Sequence, residues 1–363
     1  MDLKALLSYC ESNCDVMVRM LQEAVEIESP SNSARAIMKI SDFWAGEFRR
    51  SGAAVQLHDH STAGCALTAE FWKEIKGRRP VLLLGHTDTV WGAGTIASMP
   101  FRLRGGRAFG PGVLDMKSGL VIGAWAIRAL RSCKILPGGP VRFFLNPDEE
   151  TGSLAFRKLI LREARRARAC LVLEPAANGG AVKTARKGVG IFKVTVRGRS
   201  AHAGINPEEG VSAISELAAQ IQRIEGFARP KRGLSVNVGT IEGGTRTNVI
   251  PENASATVDV RVASSSDAGW IESRMGALKP IHDGARIFVE GGINRPPMER
   301  RHARGLFAKA RDLAAGLGFD LQEASTGGGS DGSFAAAMGV PTLDGLGGVG
   351  VGAHARHEQV IIR

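Results

Sequence analysis

The sequence contains no apolar run approaching the roughly 20 residues that a membrane-spanning helix needs. It has no CxxC pair, and its five cysteines (Cys10, Cys14, Cys65, Cys133 and Cys170) are odd in number and scattered. That argues against a disulfide frame and a cysteine-rich zinc site, and it fits the reduced thiols of a cytoplasm. There is a single tyrosine, the arginines are spread through the chain, and no nucleic-acid motif is present. A net charge of +11 therefore does not point to nucleic acid. The densest basic run, Arg157–Arg168, has helical character and reads as a solvated helix face. The same positive field suits an anionic small-molecule substrate. The N-terminal MDLKALLSYCESNCDV carries acidic and polar residues where a signal peptide has an unbroken apolar segment, so a cytoplasmic location is expected, with no membrane partner. No internal repeat or low-complexity tract occurs.

At 363 residues the chain exceeds what one core usually covers, and two domains are expected. Helical apolar spacing marks 15–27, ended by Ser29-Pro30-Ser31, and then 34–50, closed by Gly52. The organising stretch is Val81–Val90, VLLLGHTDTV. Its four apolar residues ahead of Gly85 read as a buried central strand. In open α/β sheets ligands collect at the C-terminal ends of strands. His86 and Asp88 stand there, two residues apart, so an extended backbone points them to the same side and Asp88 can hold the His86 imidazole.

Alone, His-x-Asp is an ordinary surface turn, but the pattern recurs. Asp115 follows Val113-Leu114 just ahead of a helical segment, 118–130. The apolar run Val141–Leu145 leads into Asp148-Glu149-Glu150, and Cys170–Leu173 ends in Glu174. The acidic triplet by itself reads as a helix N-terminus. Set beside the other strand ends, it becomes a concentration of carboxylates that needs cations or protons to neutralise it. Near the C-terminus, Gly347–Ala353 leads to His354, then His357 and Glu358. Histidines and carboxylates without thiolate suit a hydrolytic zinc site. An aspartate at a tight junction, such as Asp115, can bridge two metals, and one of two adjacent glutamates can serve as a base.

Between these halves lie strand 188–197, helix 210–224, strands 234–241 and 254–262, helix 267–278 and strand 285–290. This βαββαβ order is ferredoxin-like. It is punctuated by Arg186-Lys187-Gly188 before and by Gly291-Gly292 and Pro296-Pro297 after. The expected division is 1–186 with 296–363 as a discontinuous catalytic domain, and 187–295 as an insert.

GHTDTV, GPGVLDMKSG, DEETGS, LEP, GRSAHAG, TNVIP, GGGSD and GAHxxxE occur in this order across nearly the whole chain. Together they resemble the M20 family of dizinc metallopeptidases, the aminoacylase and carboxypeptidase G family, and within it the glutamate carboxypeptidase branch. The resemblance implies an α/β, zinc-peptidase-like catalytic domain with a central mixed sheet and an inserted lid and dimerisation domain. It implies two zinc ions per chain, replaceable by cobalt or manganese. His86 and Glu174 would hold one and Glu150 and His354 the other, with Asp115 bridging. Glu149 would be the general acid/base and Asp88 the orienting carboxylate. His202 would reach the partner subunit's active site in a homodimer and polarise the scissile carbonyl. Asn248, Arg261, Arg295 and Thr326 would contact the substrate's carboxylates, a task suited to the planar fork of arginine. The glycine-rich stretch 327–330, with Gly328, reads either as a source of backbone N–H groups for the same anion or as a plain flexible loop.

The implied reaction is zinc-dependent amide hydrolysis releasing a C-terminal, glutamate-like amino acid from a peptidyl or acyl group. The implied substrate is a small anionic peptide or N-acyl amino acid. An N-acyl amino acid deacylase with the same machinery is the alternative. A non-enzymatic metal or nucleic-acid binder is a third reading, against which stands the intact set of ligands, base and orienting acid. The resemblance also implies a terminal helix beyond the segment of His354 and Glu358. The sequence ends at Arg363, which would leave core surface exposed.

Overall fold

The computed structural model describes residues 2–362. The chain divides into two compact units, Met1–Ala185 with Arg300–Thr326 and Ser330–Arg363, and Arg186–Glu299 with Gly327–Gly329. Among the described residues no helix is long and apolar enough to cross a membrane.

The first unit is α/β, as expected, and its central sheet is mixed. The strand order is Ala54–His60, Gly64–Phe71, Val141–Asn146, Val81–His86, Ala169–Val172 and Thr342–Leu343. The first two pairings are antiparallel and the remaining three parallel. Val81–His86 is central and covered on both faces, which is why its apolar run is continuous; Leu82, Leu83 and Leu84 are all buried. On one face pack Trp44 and Phe48 of helix Ala34–Arg50, with Phe48 lying 4.7 Å from the Phe143 ring between centroids. The basic run forms helix Arg157–Arg166, with Lys158, Arg162, Arg165 and Arg166 exposed and Ile160 and Ala164 buried.

Parallel register aligns the strand ends that matter. His86 pairs with Asn146, and Leu84 with Val172, so His86, the 148–150 turn and Glu174 emerge at one edge. A second, small antiparallel sheet delivers the remaining residues. Gln359 pairs with Phe109 and Gly350 with Val360, which sets the 352–358 loop beside the turn carrying Asp115. An open apolar hollow of about 250 Å³ is lined by Met17, Leu21, Val121, Ile122, Val360 and Ile362 among others.

Helix Ser118–Ser132 runs from the Asp115 turn beneath the sheet edge, and Gly119 permits its approach. A Cβ at Gly119 would stand 1.9 Å from the Leu173 carbonyl oxygen. Gly119→Ala should therefore lower stability by about 1–3 kcal/mol, the usual range for overpacking a fitted contact. Urea unfolding of the variant checks this.

The second unit is a four-stranded antiparallel sheet in the order Ser235–Gly243, Asn253–Val262, Gly188–Arg197 and Arg286–Arg295. Helices Ala213–Glu225 and Ser265–Gly276 complete the ferredoxin-like βαββαβ order over a core that includes Val194, Leu217, Val258 and Ile271. Several boundaries differ from expectation. Gly291-Gly292 does not end the last strand, which continues to Arg295. Gly291 has φ +99° there, and a Cβ would meet the Ile191 carbonyl oxygen at 2.1 Å, so glycine keeps the strand paired where another residue would break it. Arg186 and residues 296–299 also lie in the second unit, because Arg186 and Met298 exchange backbone hydrogen bonds of 2.9 and 3.0 Å. Gly327–Gly329 join them, since Arg186 Nη1 donates to the Gly328 and Gly329 carbonyls.

Candidate active site

The first unit brings His86, Asp88, Asp115, Glu149, Glu150, Glu174 and His354 into one cluster. His86 ends its strand and is almost wholly buried. Its Nδ1 lies 3.0 Å from the Asp88 carbonyl oxygen and 3.3 Å from Asp88 Oδ1, both acceptors, so Nδ1 carries a proton whether or not Nε2 does. That turns Nε2 toward the carboxylates, 3.2 Å from Asp115 Oδ1 and 3.5 Å from Glu174 Oε1. His354 approaches from the other side, with Nε2 3.3 Å from Asp115 Oδ2 and 3.1 Å from Glu150 Oε1. Each oxygen of Asp115 thus faces a different imidazole.

Asp88 organises the turn as well as the imidazole. Its Oδ1 accepts the Glu149 N–H (3.2 Å) and its Oδ2 the Glu150 N–H (3.1 Å). Oδ2 also accepts the Ser31 hydroxyl at 2.7 Å. Within the acidic run the three side chains separate. Asp148 turns away and accepts the Ala155 N–H at 2.7 Å, with burial pushing its carboxyl up to about 6. Glu149 is buried, while Glu150 meets His354. Behind the turn, Asn146 Nδ2 donates to Asp331 Oδ2 at 2.7 Å, and the Ser153 hydroxyl also donates to Asp331.

The donor set suits a metal. Around a tetrahedral zinc at about 2.1 Å, ligand atoms stand about 3.4 Å apart, and the separations here run from 3.1 to 3.5 Å. His86, Asp115 and Glu150 each offer a ligand atom within 4.8 Å of the other two. Asp115, Glu150 and Glu174 need positive charge beside them. In the metal-free chain protons supply it. Burial would lower the His86 imidazole, but Asp115 and Asp88 outweigh burial and hold it well above its ordinary value. Asp115 and Glu150 raise His354 to about 10. Burial opposes the charge on Asp115, yet His354 and His86 keep its carboxyl far below the carboxylate range.

A histidine raised on folding contributes stability below its unfolded value of about 6.5, and that stability is lost as pH rises through the folded value. The chelated protein should therefore lose thermal stability between about pH 6.5 and 10. A divalent ion must displace the same protons, so its binding at neutral pH should release protons and tighten as pH rises. Melting curves of the chelated protein and calorimetry in two buffers of different ionisation enthalpy measure these effects.

The other expected residues are distributed as follows. Thr326 ends strand Glu323–Thr326 in the first unit. His202, Asn248, Arg261, Arg295 and Gly328 belong to the second. There His202 is exposed, its Nδ1 accepts the Gly204 N–H at 3.1 Å, and it bridges to Val249. The Asn248 carbonyl accepts the Ala203 N–H at 3.0 Å, which places His202 and Asn248 on adjoining loops. Arg261 forms two parallel 2.9 Å bonds with Asp259. Arg295 ends its strand beside Gly329.

Several supporting residues were not singled out from the sequence. Ser31 lies in a segment read only as a helix end. Lys117 is buried, donates from Nζ to the Ile27 carbonyl at 2.8 Å, and is lowered to about 7 by burial. Glu358 had a motif position, four residues after His354, but no role.

Residues 82–363 match the sequence profile described as peptidase family M20/M25/M40. The chain is 30% identical over 355 residues to carboxypeptidase G2 of Pseudomonas sp. (strain RS-16), covering 95% of this chain and 84% of that protein. It is 28% identical over 302 residues to the succinyl-diaminopimelate desuccinylase of Acidovorax ebreus (strain TPSY), covering 78% of this chain and 76% of that one. Among solved structures, aminopeptidase PepT from Bacillus cereus superposes with a TM-score of 0.77 at 22% identity, over 96% of this chain and 94% of that one. The metallo-carboxypeptidase Sso-CP2 from Sulfolobus solfataricus does so with a TM-score of 0.72 at 16% identity, over 95% of both chains.

Proposed function

Because the chain belongs to peptidase family M20/M25/M40, a family of metal-dependent peptidases and amidohydrolases, we propose that it uses two zinc ions to hydrolyse an amide bond. The reaction releases a C-terminal, glutamate-like amino acid from a peptidyl or acyl group. The observation that carries this reading is the Asp115 carboxylate, with Oδ1 3.2 Å from His86 Nε2 and Oδ2 3.3 Å from His354 Nε2. It divides the donors into two half-sites, His86 with Glu174 and His354 with Glu150, joined by Asp115. Cobalt or manganese fits the same donors.

Zinc bound there supplies Lewis acidity to the scissile carbonyl and to water. The chain's own residues do the rest. Asp88 fixes the His86 tautomer and, through the N–H groups of Glu149 and Glu150, the position of the turn. Glu149 takes a proton from the attacking water and returns it to the leaving nitrogen. His202 donates to the carbonyl oxygen as negative charge develops on it, supplied by the partner subunit of a homodimer formed through the second unit. Arg261 and Arg295, with Asn248, Thr326 and Gly328, hold the substrate's carboxylates, and the net charge of +11 favours anionic substrates. The reaction is assigned to the cytoplasm and involves neither nucleic acid nor a membrane.

A second reading, N-acyl amino acid deacylation, is favoured by the 27–29% identity to several proteins named succinyl-diaminopimelate desuccinylase. Hydrolysis of a panel of N-acetyl, N-succinyl, N-aroyl and dipeptidyl amino acids by the zinc- or cobalt-loaded protein tests both. Release of glutamate from aroyl or peptidyl substrates supports the first reading. Preference for small acyl groups supports the second, and no hydrolysis at all overturns both.

A further inference from the structure

Glu358 is fully buried and sits four residues after His354. Its Oε1 accepts the backbone N–H groups of Leu114 (2.9 Å) and Asp115 (3.0 Å). Its Oε2 accepts the Gly112 N–H (2.9 Å) and the Trp91 indole N–H (2.8 Å). Three of these donors belong to the turn that presents Asp115. The fourth belongs to the segment that follows His86 and Asp88, and the acceptor itself shares a loop with His354. One carboxylate therefore ties together three of the segments that bear the proposed ligands.

We propose that Glu358 is a positioning residue of the metal centre. Without touching an ion, it sets where the Asp115 carboxylate stands between the two imidazoles. This rests on the reading of His86, Asp115, Glu150, Glu174 and His354 as metal ligands.

The chemistry leaves no close substitute. An ionised carboxylate is acceptor-only, and here each of its oxygens takes two N–H donors. An amide in either orientation replaces one oxygen with an NH₂ group that faces two donors. Aspartate is a methylene too short to reach the same turn. The Asp115 N–H is among the bonds that E358Q disturbs, so the bridging side chain shifts with its own backbone. Partners behind metal ligands typically change metal affinity by 10–100-fold when replaced.

The test is a Co²⁺ titration of the metal-free protein against a chromophoric chelator, with the visible spectrum of bound Co²⁺ and the thermal midpoint recorded. Wild type, E358Q and W91F are compared, the last removing only the Trp91 donor. E358Q should weaken binding of at least one ion by ~10–100-fold and alter the visible bands, with W91F between it and wild type. Wild-type affinity and spectrum in E358Q, whatever the thermal midpoint, would overturn the proposal by reducing Glu358 to a structural role. If E358Q does not fold, W91F decides in the same way, and an unchanged affinity and spectrum overturns it. Failure of the wild type to bind Co²⁺ is a separate result, which overturns the ligand reading and this proposal with it.

Discussion

Replacing Glu149 with alanine should slow amide hydrolysis by at least ~100-fold, the usual scale for removing a general base, and leave the metal content intact. Glu150→Ala should instead lower the metal content. The two residues are neighbours of the same type, so composition and charge cannot account for a difference between them. Geometry can. Glu150 Oε1 lies 3.1 Å from His354 Nε2, within the spacing of two ligands on one ion. Glu149 is buried in the same short turn, with its backbone N–H held by Asp88. Removing its carboxylate takes away a proton acceptor without opening a ligand position. Steady-state rates and elemental analysis on the same preparations decide the matter, and equal metal loss in both variants would show the pair to be misassigned.

His202→Ala should cost ~10²–10³ in kcat, the range for losing one donor to a developing oxyanion. Mixing it with Glu149→Ala, also inactive, should restore activity. If each active site takes His202 from the partner, a mixed dimer holds one site with Glu149 and His202 both intact and one with neither. Random exchange makes half the dimers mixed, so recovery should approach about a quarter of wild-type activity. Native mass spectrometry of differently tagged chains shows whether exchange has occurred. Exchange without recovered activity would mean that His202 acts within its own chain or takes no part.

Most of the candidate metal-binding cluster could be reached from the sequence because the sheet is parallel at its centre. Strands covered on both faces are continuous apolar runs, so the polar residues ending Val81–His86, Val141–Asn146 and Ala169–Val172 stood out, and parallel register brings those ends to one edge. The supporting residues were not legible, because each acts over a long sequence separation with no local pattern. Ser31 reaches Asp88 across 57 positions, and Glu358 reaches Asp115 across 243. The first helix, Leu3–Ser12, has no buried residues, so the helical spacing of Leu3, Leu6, Leu7 and Cys10 does not mark a core face. Gly291-Gly292 was misread for a different reason. Glycine marks both turns and close strand contacts, and only the 2.1 Å approach of the Ile191 carbonyl shows which applies. The assignment of Arg261, Arg295 and Asn248 to substrate binding rests on family resemblance alone. An arginine on a strand, paired here with Asp259, has no sequence feature that separates carboxylate recognition from a surface ion pair.

The most direct test of the two-metal account is elemental analysis of protein purified without added metal and shown to hydrolyse an N-acyl or peptidyl amino acid. About two divalent ions per active chain are predicted, lost together with activity on chelation and restored by zinc or cobalt. Full activity in protein that contains no metal would contradict it.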